Sequence, residues 1–172
     1  MKNIRLDEQD AEYAERGIDE VVLVDGDYET LVELLDLRGN NLTAADVTAA
    51  ASKLKALYLG RNQLSEWPEG LFQCSELHHL YLHKNKLRGA VPSALGNLKQ
   101  LQVLSLAGNA LSGALPACIG ELRQLEQLDV QENFFVSLPK SLSQLQDLRV
   151  LNLYRYVLLF ALNYCLPSTT VC

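Results

Sequence analysis

The chain has 172 residues, 48% of them hydrophobic, and a formal net charge of −6. That length suits one domain with its own core. The acidic balance and the absence of a basic run argue against general nucleic-acid or anionic-membrane binding.

The first residues, MKNIRLDEQDAEYAERGIDE, are acidic and lack the apolar core of a secretory signal, which predicts a cytoplasmic protein. Ile18, Val21 and Leu23 then give a partial copy of a pattern that takes over the chain. The frame L-x-x-L-x-L-x-x-N-x-L occupies 32–42, 54–64, 77–87, 101–111 and 125–135, here called repeats one to five. Its asparagines are Asn40, Asn62, Asn85, Asn109 and Asn133, at steps of 22, 23, 24 and 24 residues. A period of this size with this pattern marks leucine-rich repeats. Gly26 stands at the asparagine position of the degenerate first copy. Tyr156 holds that position in a sixth repeat, built on Leu148, Leu151, Leu153 and Leu158. The expected organisation is an N-terminal capping segment over 1–31 (helix plus degenerate coil), repeats over 32–153, and a C-terminal cap or irregular tail over 154–172.

Each symbol of the frame has a physical reading. Leucines two apart share the inward face of a short strand, and the outer leucines close over them, so each coil adds one slice to a continuous core. The sharp turn that follows leaves buried backbone groups unpaired, and an asparagine side chain offers an acceptor and two donors to satisfy them. Glycine lacks the side chain and tyrosine is too large, so Gly26 and Tyr156 mark the ends of the array. After each turn, Pro68, Pro92, Pro116 and Pro139 suit a return segment without ladder bonds, and Leu95, Ile119 and Leu142 point back inward. The first return, LTAADVTAAASKL, has no proline and predicts a helix, with Thr43 as N-cap, Asp46 three residues later, and Val47, Ala50, Ala51 and Leu54 on one side.

LRGAVPSALGNLKQL and LSGALPACIGELRQL resemble the plant-type leucine-rich repeat, familiar from plant receptor ectodomains and polygalacturonase-inhibiting proteins, with its L-x-G-x-x-P-x-x-L/I-G-x-L signature. LSEWPEGLFQCSEL and FVSLPKSLSQLQDL resemble the shorter repeat of intracellular Ras-associated leucine-rich proteins. The resemblance spans residues 18 to 158. It implies an α/β, right-handed solenoid, with a parallel concave sheet and irregular, 3-10 or short helical convex segments. It also implies a binding scaffold whose members differ in partner. Plant-type ectodomains carry a cysteine-paired N-terminal cap, whereas here no cysteine precedes Cys74. Four scattered cysteines read as free thiols, although Cys165 and Cys172 could pair. The run VLLFAL at 157–162 is far below the ~20 residues that span a bilayer. Either it caps the last coil, or the sequence after about Asn152 comes from truncation or a misread gene end.

All three histidines, His78, His79 and His83, fall in repeat three. On a strand His78 and His79 point apart, and His79 lies about 13 Å from His83 at ~3.3 Å per residue, too far to share a metal. No metal or cofactor is expected. Glu126, Asp129 and Glu132 in repeat five suggest acid/base carboxylates, but a solvated face without a nearby histidine or apolar pocket explains them. No phosphate-binding loop, nucleophile elbow or kinase set occurs, and no enzyme is visible.

The second, third, fifth, seventh and eighth frame positions face the concave side, where this architecture binds partners. Repeats one to three place there Arg38, Lys55, Tyr58, Arg61, His79, Tyr81, His83 and Lys84. Strands about 4.8 Å apart set Tyr58 beside Tyr81. Repeat four is small and neutral at Ser105 and Ala107, and repeat five is acidic, so the face is polarised. Aromatics flanked by cations are the composition of binding hot spots. The plainer reading is that tyrosine favours strands and charges keep a surface soluble. The expected function is a non-catalytic interaction module whose partner is a protein or peptide, acidic or phosphorylated, bound through Arg38, Tyr58, Arg61, His79, Tyr81, His83 and Lys84. Two other classes stay open: a fragment of a larger leucine-rich-repeat receptor or kinase, and a structural protein that self-associates through its C-terminal coil.

Overall fold

Leucines two apart need extended backbone to share one face, and every frame supplies it. The computed structural model describes residues 10–19, 21–22, 33–48, 51–154 and 170–171. In chain order the strands are β1 (Asp10–Glu12), β2 (Val21–Val22), β3 (Leu34–Asp36), β4 (Ala45–Asp46), β5 (Ala56–Tyr58) and β6 (His79–Tyr81). They continue with β7 (Arg88–Gly89), β8 (Val103–Ser105), β9 (Ala110–Ala114), β10 (Gln127–Asp129), β11 (Phe134–Ser137), β12 (Val150–Asn152) and β13 (Thr170–Val171). Eight of them make one parallel sheet in the order β1-β3-β5-β6-β8-β10-β12-β13. Register sets equal frame positions side by side, so Leu35, Leu57, Leu80, Leu104, Leu128 and Leu151 form one inward row. Those leucines are buried, as are the second strand leucines Leu37, Leu59, Leu82 and Leu106 and the closing residues Leu42, Leu64, Leu87, Leu111 and Phe135. Fully burying one such side chain is worth about 1.5–3 kcal/mol, and each coil shares that gain only with its neighbours.

The turns are closed by the buried asparagines Asn40, Asn62, Asn85, Asn109 and Asn133. Asn109 shows the pattern. Its Nδ2 donates to the carbonyls of Leu106 in its own coil and Leu82 in the coil before, both at 2.9 Å, and its Oδ1 accepts from the Leu87 N–H at 3.1 Å. Asn62, Asn85 and Asn133 repeat these bonds one coil along. Asn40 makes the same connection to the N-terminal coil, donating to Tyr13 O at 2.8 Å and accepting from Ile18 N at 3.0 Å.

That connection moves the alignment of the first coil. Asp10, Ala11 and Glu12 pair with Leu34, Leu35 and Asp36, so Ala11 and Tyr13 hold the strand-leucine positions, Arg16 the asparagine position and Ile18 the closing position. Ile18 and Val21 therefore do not open the strand of a degenerate copy. Ile18 ends the frame, and Val21–Val22 is β2, paired on the convex side with β4. Asp10–Glu12 is strand where a capping helix was expected; residues 1–9, 20 and 23–32, including Leu23 and Gly26, lie outside the described residues.

The return segments of repeats two to five are 3-10 turns over Leu71–Gln73, Ser93–Asn97, Ala117–Glu121 and Lys140–Gln144. Pro92, Pro116 and Pro139 cap the last three with φ between −63° and −75°, the angle a proline ring enforces. Among the described residues there is no α-helix, so the helical share of the fold is 3-10. The helix expected after Thr43 is absent at its start. Ala45–Asp46 is strand, its backbone satisfied by the next coil through Val47 N→Glu69 O and Glu69 N→Ala45 O, and Asp46 Oδ1 accepts from Thr48 N. A second parallel sheet, β7-β9-β11, runs along the outside of repeats three to five.

At the C-terminal end Thr170–Val171 lies parallel to Val150–Leu151 as the eighth strand of the main sheet. Residues 155–169 and 172, and with them Tyr156, Cys165 and Cys172, lie outside the described residues. Cys74 and Cys118 are free thiols, and burial pushes the Cys74 thiol up to about 11. Among the described residues no helix is long and apolar enough to cross a membrane.

Replacing Asn109 by alanine leaves the Leu82 and Leu106 carbonyls and the Leu87 N–H buried without partners. Denaturant unfolding of Asn109→Ala should show a loss of about 1–3 kcal/mol. An unchanged midpoint and slope would show that the ladder is dispensable.

Candidate functional site

The asparagine turn shapes the exposed face as well as the core. Position eight, just before the asparagine, has a left-handed backbone in every described coil: Glu15, Gly39, Arg61, Lys84, Gly108 and Glu132, with φ between 53° and 68°. A residue with a Cβ reaches that region at a cost of ~1–2 kcal/mol. The turn therefore holds Arg61, Lys84 and Glu132 in one fixed backbone conformation at the rim of the concave sheet.

Within the sheet, position five runs Asp36, Tyr58, Tyr81, Ser105 and Asp129 across β3, β5, β6, β8 and β10. The Tyr58 and Tyr81 rings stack with centroids 5.0 Å apart and planes 11° from parallel. The Arg38 guanidinium lies 5.2 Å from the Tyr58 centroid and binds Asp36, with Nε 2.9 Å from Oδ1 and a second contact from its terminal nitrogen to Oδ2. Burial works to raise the Asp36 carboxyl, and the bonds from Arg38 outweigh it, holding the group below the ordinary carboxylate range. Arg38 is thus already engaged by Asp36, while half of its side chain stays exposed. Lys55 is likewise paired, with Glu33 at 2.8 Å.

His83 meets Tyr81 edge-on at 6.3 Å and leans over Gly60, where an added Cβ would sit 2.3 Å from the imidazole Cε1. Burial lowers the His83 pKa first, and Arg61, Lys84 and Arg38 lower it further. His79, four residues before His83 at the start of β6, is half-buried, and its pKa is lowered by burial and by His78.

Beside this cluster a cavity of about 260 Å³ opens over repeat four. Its floor is Ser105, Ala107 and Gly108; Tyr81, His83 and Lys84 form one wall and Asp129, Gln131 and Glu132 the other. Burial pushes the Asp129 carboxyl up, while N–H bonds from Gln131 oppose the shift and Glu132 adds to it. Asp129 therefore has the enclosed setting, with a histidine across the cavity, that its sequence context did not reveal. Of the expected partner-binding residues, Tyr81, His83 and Lys84 line this cavity, Tyr58 stacks behind it, Arg61 stands on the rim of repeat two, and Arg38 and His79 lie outside it. The floor and the acidic wall were legible only as a small, neutral repeat beside an acidic one; the cavity comes from stacking the small residues of repeat four between the larger ones of repeats three and five.

Two measurements test this geometry. Gly108→Ala forces a Cβ into a φ of +66° and should cost about 1 kcal/mol or more in thermal unfolding, whereas Lys84→Gly relieves a left-handed lysine and should stay within about 1 kcal/mol of the parent. A histidine lowered in the fold binds fewer protons there than in the unfolded chain. Stability should then fall as pH drops below the ordinary histidine value of about 6.5 and on through the lowered one. His83→Asn should make that decline shallower across a pH series of melting curves; an identical decline would remove His83 as its source.

The Leucine rich repeat family model matches residues 30–87 and 75–135. No curated protein sequence matches the chain significantly. Its structure is similar to that of a leucine-rich-repeat protein of Leptospira interrogans, at 29% identity and TM-score 0.66 over 80% of this chain and 37% of that one. It is also similar to the ectodomain of the Arabidopsis receptor kinase HAESA, solved with an N-terminally extended IDA peptide hormone, at 28% identity and TM-score 0.60 over 72% of this chain and 26% of that one. The functional domain of InlJ from Listeria monocytogenes shares the fold at 20% identity and TM-score 0.69, over 84% of this chain and 30% of that one. The chain spans well under two thirds of each of these proteins. With five asparagine-closed frames and a family match over more than half its length, the chain belongs to the leucine-rich-repeat family.

Proposed function

We propose that this protein is a non-catalytic interaction module that binds a segment of a protein partner across its concave face, centred on Tyr58 and Tyr81. The observation that carries the reading is the stacked tyrosine pair, half-buried on an open sheet beside a cavity and next to the rim cations Arg61 and Lys84. Two rings held in place by their mutual stacking lose little freedom when a partner packs on them, which is how aromatic hot spots gain their weight. Arg61 and Lys84 suit an acidic or phosphorylated group of that partner. The peptide hormone bound by the HAESA ectodomain supports a polypeptide as the class of ligand. The free thiols Cys74 and Cys118 are in keeping with a cytoplasmic setting, which fractionation of the tagged protein tests.

A second reading, a segment of a larger leucine-rich-repeat receptor, draws on the similarity to about a quarter of that ectodomain. The full-length transcript decides between the two.

The test of the binding face is affinity capture from the native cell, followed by titration of the captured partner against variants. Tyr58→Ala with Tyr81→Ala should weaken binding by about 2 kcal/mol or more while costing the fold little, since neither ring lies in the core. Changes at Glu69 and Lys140, exposed on the convex side, should leave binding alone. A partner that holds the double variant as tightly as the parent would move the site off repeats two and three.

A further inference from the structure

We propose that the cavity over repeat four is a seat for one arginine side chain of the bound partner, held between the ring of Tyr81 and the carboxylate of Asp129. This rests on the concave-face reading above and names the chemistry it selects.

The molecule contains a related arrangement that is already filled, with its aspartate and tyrosine one strand spacing apart instead of two. At the repeat-one end of the position-five row, Asp36 binds the guanidinium of Arg38, Arg38 covers Tyr58, and Tyr58 stacks on Tyr81. At the other end the same members run in reverse, Tyr81, a space over Ser105, then Asp129, and the cation is missing from between them. Because Tyr81 stacks on Tyr58 across adjacent strands, its second face is turned toward repeat four and the cavity. Two strand spacings, roughly 10 Å, separate the Tyr81 and Asp129 rows, which admits one planar group within about 6 Å of the ring and in hydrogen-bond reach of the carboxylate.

The turn around the two aspartates is the same. The Arg38 N–H donates to Asp36 Oδ1 at 3.1 Å, and the Gln131 N–H donates to Asp129 Oδ1 at 3.2 Å. What differs is the side chain at frame position seven. Arg38 delivers a guanidinium to both oxygens of Asp36, whereas the Gln131 amide reaches Asp129 Oδ2 only at 3.4 Å. The carboxyl with its arginine lies below the ordinary range and the one without lies above it. A guanidinium supplied by a partner would complete repeat five as Arg38 completes repeat one.

The rim sets the choice of cation. Lys84, whose stem runs along Gly108, repels any positive guest, so a compact ammonium gains little. Arginine spreads its charge over a plane, stacks on an aromatic face and binds carboxylate in a fork, which lysine cannot do.

The test titrates the isotope-labelled full chain with N-acetylarginine amide, followed by the backbone amide signals of Ser105, Ala107 and Gly108. Saturable shifts are expected in the millimolar range, with the citrulline and lysine counterparts at least fivefold weaker. Asp129→Asn should weaken the arginine probe by a similar factor, and Lys84→Gly, compatible with its left-handed backbone, should tighten it. Gln131→Arg should fill the seat from within, abolishing the probe's shifts while the melting temperature is kept. The absence of saturable shifts at tens of millimolar, or equal responses to the arginine and citrulline probes, overturns the seat. Either result leaves the concave-face reading to its own tyrosine test.

Discussion

The turns of repeats one to five each hang on one side chain, the asparagine at the ninth position of the frame. Its amide satisfies carbonyls in its own coil and in the coil before, so one group both closes the turn and fixes how neighbouring coils are stacked. Coil-to-coil register follows from that bond. Register in turn aligns equal frame positions into rows, and rows are what the exposed face is made of. The left-handed residue before each asparagine is a further product of the same turn, which is why Arg61, Lys84 and Glu132 stand at matching places on the rim. Core, stacking and exposed face are thus three consequences of one hydrogen-bonded amide.

Much of this was legible because leucine and asparagine are chemically specific: few residues fill a strand's inward face or pair three buried backbone groups. Legibility ended where other residues hold those positions. In the N-terminal coil Ala11, Tyr13 and Arg16 replace leucine, leucine and asparagine, so only spacing marks the frame, and the apolar Ile18 and Val21 drew the alignment the wrong way. The segment after Thr43 is rich in alanine and favours helix locally. Its backbone bonds instead go to Glu69 in the next coil, a partner more than twenty residues away that no local propensity reports. The second sheet escaped for a related reason, since Arg88–Gly89 is exposed along its length and carries no alternation.

The candidate site was half legible. Its aromatic and cationic members could be placed from frame positions, and the strand spacing brings Tyr58 and Tyr81 together. The fate of each charge could not be read, because it depends on the next side chain but one. Asp36 and Asp129 occupy the same frame position with the same backbone turn, yet one is neutralised by an arginine two residues on and the other faces a glutamine. Arg38, grouped with the partner-binding cations on composition, is spent inside the molecule. The polarity of the face is therefore set less by the number of charges in each repeat than by which of them are already paired.

One wall of the cavity is placed by a contact between two coils, that of His83 with Gly60. Frame position seven reads Arg38, Gly60, His83, Ala107 and Gln131 along the sheet. His83 can lean back toward repeat two only because Gly60 has no Cβ; a methyl group there would meet the imidazole at 2.3 Å. With a side chain at Gly60 the imidazole would have to leave the place it now holds on the wall of the cavity. A glycine in one coil thus sets where a wall residue of a cavity centred two coils away can lie. In a solenoid each coil packs only on its neighbours, so such relays along a row are the means by which one repeat shapes a site in another.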